Sequence, residues 1–350
     1  MSTIYIRTLK HVENTVFCVQ NGQKTYFDPV FRKFIPYSSG QQVKRSLIDS
    51  LNRQLNSPGS PTTFMWDVNK KKELKEGEVF GTCDPSYADQ LFGGWMRAAK
   101  GGEERTLKRR SPLSISSMRA IHPLLANVNK EDASFDRSDR PNNKIIVRNE
   151  NGSILTDEEV VELLEGKDRS LSRKWIPENA RATGLFVQDI AIDLRRLFSV
   201  SLNHLEPEIS SDTEKKLRDT GWIESINIFG QCLIAPESIR DQWIPALVKA
   251  IIDWKITSNQ ARTFSLMETL ALTVSNNANK TATSIRAKLM EDEKAKIIIE
   301  ESLDGVDTFV TLPAAGYTFT NIESASALEQ AEQRLITIIK GYNYQSSVNN

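Results

Sequence analysis

Pro36-Tyr-Ser-Ser-Gly-Gln-Gln-Val-Lys-Arg-Ser-Leu-Ile-Asp-Ser-Leu51 reads as an extended segment turning into an amphipathic helix. Ser38 and Ser39 offer hydroxyls to the amides that open a helix, and Gly40 loosens the approach. Val43, Leu47 and Leu51 recur at i, i+4 and i+8, the spacing of a buried stripe. Gln41, Lys44, Arg45 and Ile48 share a face beside it. The first turns therefore present an amide and two cations next to backbone N–H groups that have no partner within the helix. Such an end suits an anion, phosphate above all.

Upstream, Ile4–Leu9 and Thr15–Val19 are β-branched and aromatic runs that predict strands. Gln20-Asn-Gly-Gln23 predicts a hairpin turn, with Lys24–Phe27 as the returning strand. Phe31–Pro36 predicts an extended entry to the helix. Downstream, Pro, Gly and Ser break the pattern over residues 56–63. From there to about 182 short helices and polar loops are expected, among them a helix over Thr156–Gly166 with a Thr156/Glu159 capping box. Leu185–Leu194, Lys296–Ile299 and Val306–Leu312 predict strands, Thr263–Val274 fits strand or helix by pattern, and Trp243–Trp254 and Ala325–Lys340 predict helices. Tyr344–Asn350 reads as a frayed tail. Strands with interspersed helices and no regular βαβ alternation predict an α+β fold.

With 350 residues, 39% of them hydrophobic and 26% charged, the chain can bury a large core. No apolar run approaches the ~20 residues that span a bilayer, and no signal peptide is visible at Met1–Arg7. Cys18, Cys83 and Cys232 are odd in number and widely spaced, and His11, His122 and His204 are scattered. That pattern excludes a disulfide framework and a zinc motif, and a reducing, cytoplasmic setting is expected. Lys and Arg total 45, as do Asp and Glu. The balance argues against a free-standing high-affinity DNA binder and leaves local sign to decide. Asn69–Lys75 and Lys100–Arg110, ending in Lys108-Arg109-Arg110, are locally basic. Phosphate-loop, nucleophile-elbow and zincin motifs are absent from the sequence, so neither enzymatic activity nor a cofactor or metal is expected.

The helix motif resembles that of the backbone subunits of CRISPR Cascade complexes, the "Cas-seven" superfamily that includes the DevR-type proteins. In that family a strand leads into a Ser-Ser-Gln-x-x-Lys-Arg helix that grips the guide RNA. Here Ser38-Ser39-Gly40-Gln41-Gln42-Val43-Lys44-Arg45 carries the motif with one extra glycine, and Ile48 stands where a further basic residue is common. Tyr87-Ala-Asp-Gln-Leu-Phe-Gly-Gly-Trp-Met-Arg97 is similar to the family's Leu-Phe-Gly-x-Met segment, with Leu91, Phe92, Trp95 and Met96 available for packing. Thr183–Leu194 resembles the palm strand after the insertion, and Ser258–Ser265 resembles a polar loop before a later palm strand.

The resemblance implies a modified RRM-like, ferredoxin-like palm (residues 1–55 and 183–350), a helical fingers insertion (56–182) and a β-hairpin thumb (about 197–240). It implies guide-RNA contacts from Ser39, Gln41, Lys44 and Arg45, joined by the basic run Lys108, Arg109 and Arg110. Base-wedging from the thumb falls to Leu197, Phe198, Val200 and Leu202. The expected partners are the guide crRNA, target DNA paired through the guide, further copies of the chain head to tail, and the large, small and repeat-handle-binding Cascade subunits, without a membrane. An alternative within the same fold is the RNA-cleaving type III subunit, for which Asp28 is the sole position to consider; a turn-initiating Asp is the simpler reading. A structural assembly protein without nucleic acid is a third class.

Overall fold

The computed structural model describes residues 2–17, 23–98, 105–134, 142, 144, 146–166, 175–256 and 264–344. Internal contacts divide the chain into two compact units, residues 1–129 with 182–350, and residues 130–181.

The first unit begins with β1 (Thr3–Thr15), β2 (Thr25–Asp28), β3 (Lys33–Ser38) and α1 (Gly40–Gln54). A hairpin of β4 (Thr62–Val68) and β5 (Leu74–Gly81) follows, then α2 (Ala88–Gly93), β6 (Trp95–Arg97) and β7 (Leu107–Arg109). Short strands β8 (Leu113–Ile115) and β9 (Met118–Ala120) lead to β10 (Ala126–Ser134). The second unit holds α3 (Asp157–Leu164), whose Thr156/Glu159 capping box forms as its sequence predicts. The chain then returns along β11 (Trp175–Asp193) into α4 (Leu194–Leu197), β12 (Ser199–Ser201), α5 (Ser211–Asp219), β13 (Ile223–Asn227) and β14 (Gly230–Ile234). The remainder is α6 (Glu237–Asp253), β15 (Thr269–Ser275), α7 (Ala278–Ser284), β16 (Ile285–Leu289), β17 (Ala295–Ile299), β18 (Val306–Thr311), β19 (Glu323–Ser324) and α8 (Ala327–Lys340).

The main sheet runs β19-β18-β15-β1-β11-β9-β3-β2, with β8 and β10 also bonded to β11. The β18–β19 pair is parallel and the other resolved pairings are antiparallel. At its centre Ile6 lies opposite Ile190 of β11 and Val274 of β15. Alternation along β1 then divides the core. Ile4, Ile6 and Val12 join α1, α6 and α8 through Val43, Leu47, Leu51, Leu247, Ile251, Leu335 and Ile339. Leu9, on the opposite face, meets Leu185, Ala271 and the β16–β17 residues Ile285, Ile297 and Ile299. The fully buried α1 stripe alone contributes ~1.5–3 kcal/mol per side chain relative to exposure. Helices gathered on an antiparallel sheet, without βαβ units, make this an α+β fold.

Several expectations change. Of the strand expected over Thr15–Val19, Thr15 ends β1 and Val16 and Phe17 lie outside any strand; β2 pairs with β3, so the hairpin turns between Asp28 and Lys33. Residues 18–22, including most of the expected Gln20–Gln23 turn, lie outside the described residues. Among the described residues, the stretch expected as helical fingers is built mainly of strands, β4 to β10, and β8 and β9 join the main sheet. The stretch expected as a projecting thumb is packed: β12, β13 and β14 form a small sheet whose Leu217, Trp222 and Leu233 neighbours are buried. Tyr344, expected in a frayed tail, is buried and donates its hydroxyl to the Ile339 carbonyl. Met96, expected to pack, is 68% exposed. Most of the Ser258–Ser265 loop lies outside the described residues. Among the described residues, no helix is long and apolar enough to cross a membrane, and no cluster of His, Cys, Asp and Glu is placed to hold a metal ion.

Candidate nucleic-acid interface

The α1 N-terminus forms as its sequence predicts. Ser39 is the N-cap, its Oγ accepting from the Gln42 amide, and Ser38 reaches the Gln42 side chain. Gly40 has a packing reason that composition does not show. A Cβ there would stand 2.7 Å from the Ile115 carbonyl oxygen and 3.2 Å from the Ser116 carbonyl carbon. The helix start is thus pressed against the backbone after β8, and only glycine fits.

The cations on α1 divide. Arg45 is exposed, its side chain 82% accessible, with a loose i, i+4 partner in Asp49 at 3.6 Å. Gln41 is exposed as well. Lys44 is tied to a neighbouring element: its Nζ donates to the Gly93 carbonyl at 2.7 Å, the last carbonyl of α2. Burial, reinforced by the nearby Arg109 charge, lowers its pKa. Lys44 clamps α1 to α2, and a phosphate contact would compete with that bond. Ile48 packs on the core, which explains why an apolar residue stands there.

The Lys108-Arg109-Arg110 run divides by strand alternation. Lys108 and Arg110 are exposed, whereas Arg109 is 3% exposed. Its guanidinium donates to the carbonyls of Leu91, Arg196 and Ser199 and pairs with Glu208 at 3.7 Å. Burial pushes its pKa down to about 10, against the opposing pull of Glu208. Arg109 is therefore charged at neutral pH, and it staples α2, β7 and β12 together. Gly94 permits this close approach: at φ +71° its Cβ would stand 2.7 Å from the Arg109 carbonyl oxygen.

The expected wedge residues lie in the core. Leu197, Phe198 and Val200 are fully buried, with Phe198 edge-on to Phe92 and Tyr344, and Leu202 packs partly against the same core. A side chain without accessible surface cannot enter a base stack. Asp28 holds its turn, accepting from the Val30 and Phe31 amides at 3.0 and 2.9 Å, as the turn-initiating reading predicts.

Three features escaped the sequence reading. The first is the β4–β5 hairpin, a separate two-stranded sheet whose strands pair only with each other. Phe64, Met65, Trp66, Val68, Leu74 and Val79 are all exposed on it. Lys70, Lys71, Lys72 and Lys75 sit at its tip, where Lys72 takes a left-handed turn conformation. The alternating β-branched and aromatic pattern was available, but residues 64–81 read as part of an irregular insertion. The second is Arg119 on β9, beside Tyr37 of the strand that enters α1. It shares the Asp189 carboxylate with Arg7, so two guanidiniums meet one anion. The third is Arg196, whose guanidinium lies 3.7 Å from the Phe229 ring centroid. Pairing across 33 residues has no local sequence signal.

No family model matches the chain, and no curated protein does. Among solved structures, a chain of a "CRISPR RNA-guided surveillance complex, pre-nicking" is similar over 96% of this chain and 89% of its own, at 10% identity and a TM-score of 0.47. A chain of another "CRISPR RNA-guided surveillance complex" is similar over 95% and 99% respectively, at 10% identity and a TM-score of 0.42.

Proposed function

We propose that the chain is a guide-RNA-binding backbone subunit of a type I CRISPR surveillance complex, assembling head to tail along the RNA and presenting it for pairing with target DNA. Such heterologous contacts build an open helical filament. Holding a guide without reading its sequence needs cations for phosphates and apolar faces for bases. The observation that carries this reading is the β4–β5 hairpin. An isolated ribbon with exposed Phe64 and Trp66 and a lysine-rich tip is poorly suited to bulk water and well suited to single-stranded nucleic acid. The wedging role passes from Phe198 and Val200 to this hairpin. Around α1 the phosphate contacts fall to Gln41 and Arg45, with Ser39 acting as the cap and Lys44 as a clamp. The chain supplies no catalytic step in this scheme, and target cleavage belongs to another subunit.

The test is coexpression with a CRISPR array and the other complex subunits. Short RNAs of uniform length copurifying with a multimer of this chain are the expected result. Replacing Phe64 and Trp66 together by Ser should leave the fold intact, because both side chains are already exposed, while shortening the assemblies seen by electron microscopy. Multimers that carry no RNA would overturn the reading.

A further inference from the structure

A cleft of about 700 Å³ opens between β7 and the β12–β14 sheet. Arg105, Lys108, Arg110 and Arg196 line it, with Phe229 on its wall. Two carboxylates, Glu206 and Glu208, are also present. Glu208 is already engaged: it is 7% exposed, accepts from the Ser201 amide at 2.8 Å and faces Arg109 and Arg196 at 3.7 and 3.6 Å. Four cations thus line the space against two acids, of which Glu208 is paired with Arg196 and with the buried Arg109.

The cleft is a built feature. The Lys108 amide donates to the Pro207 carbonyl, and the Trp95 indole N–H donates to the Glu208 carbonyl at 2.6 Å, so the loop before α5 is tied to β6 and β7. Arg105 donates to the His204 carbonyl across the mouth. The Arg196 guanidinium lies over Phe229 at 3.7 Å with Arg195 at 5.3 Å, and 27% of the Arg196 side chain remains accessible. Phe229 itself is 38% exposed, on the tight turn between β13 and β14. A guanidinium lying against a ring at this distance offers a planar surface on which a base can stack. Exposed Lys108, on β7, and Arg110, just after it, both line the cleft and offer charges to phosphates.

The geometry points to this cleft as a nucleotide seat for single-stranded RNA: a base stacks on the Arg196–Phe229 pair and the flanking phosphodiesters are held by Lys108 and Arg110. The proposal rests on the RNA-binding reading above and adds to it a specific stacking position apart from the β4–β5 hairpin and from α1.

The experiment uses the full chain and a short fluorescein-labelled oligouridylate carrying 4-thiouridine. Anisotropy titrations compare the wild type with Phe229→Leu, Arg196→Lys and the double variant Lys108→Gln/Arg110→Gln. Loss of one stacked base should weaken binding about tenfold in Phe229→Leu. Arg196→Lys keeps the charge opposite Glu208 but removes the planar face, and should weaken binding similarly. The double variant should lower the slope of log K against log salt by roughly 1.4, two single-strand phosphate contacts. Ultraviolet crosslinking should place 4-thiouridine on the peptides that contain Arg196 and Phe229. Lys288→Gln, an exposed cation on β16, is the control. If the three variants bind like the wild type, or Lys288→Gln lowers the slope as much as a cleft cation does, the seat is refuted while RNA binding by the chain stands. If the wild type binds no RNA at all, the functional reading fails and the seat with it.

Discussion

Replacing Lys10 by Met should stabilise the protein at neutral pH and flatten the pH dependence of its stability. Lys10 is fully buried on the core face of β1. Its Nζ bonds to Thr269 Oγ1 at 2.9 Å and lies 5.0 Å from the Trp254 ring centroid. Burial drives its pKa well below the ordinary lysine range, with Lys255 adding repulsion and Asp253 opposing both. The folded protein therefore favours the neutral amine, whereas the unfolded chain binds a proton up to pH ~10.4. Between the folded and unfolded pKa values the unfolded state holds more protons, so stability rises with pH, by up to ~1.4 kcal/mol per unit. Below the folded pKa both states are protonated and the contribution levels off at its least favourable value. Met matches the shape and carries no proton; against this gain stands ~1 kcal/mol for the Thr269 hydroxyl left without its partner. Urea denaturation of both proteins at several pH values between 6 and 10 measures the difference. The wild-type-minus-variant stability should climb with pH. Parallel stability curves would refute the argument, because they would mean that Lys10 carries the same charge in both states.

Gly40→Ala should cost roughly 1–3 kcal/mol, since the new methyl meets the Ile115 carbonyl oxygen at 2.7 Å and backbone must move; an unchanged Tm would show that the helix entry is not close-packed. Arg109→Met should destabilise by about 3–5 kcal/mol, because Glu208 and three carbonyls lose a buried partner; chemical denaturation measures it, and a loss below ~1 kcal/mol would contradict the staple. Asp28→Ala should loosen the β2–β3 turn by ~1 kcal/mol and leave the handling of RNA unaltered. The assembled complex with magnesium or manganese should leave complementary RNA intact in both forms, and regularly spaced cuts confined to the wild type would revive the nuclease alternative.

The elements legible in the sequence were those set by neighbours in the chain. The α1 stripe, the Ser39 cap, the Thr156 capping box, and the strands β1, β11, β17 and β18 each follow from period, capping chemistry and β-branched content.

Sequence alone therefore determined these elements and their apolar faces, whereas the strands β4 to β10 were not read from it. Tertiary structure decided which cations are available. Lys44 and Arg45 are adjacent in sequence, yet one is bound to the α2 carbonyl and the other stands in solvent. Lys108, Arg109 and Arg110 form one basic run, and strand alternation buries only its middle member. Phe198 and Phe64 have the same side chain, but the first is buried in the core and the second is exposed on the β4–β5 hairpin. The reason is range. Backbone conformation is governed by residues within about one helical turn, whereas the surface left to a charge or a ring depends on segments that arrive from a hundred or more positions away, as Glu208 does against Trp95.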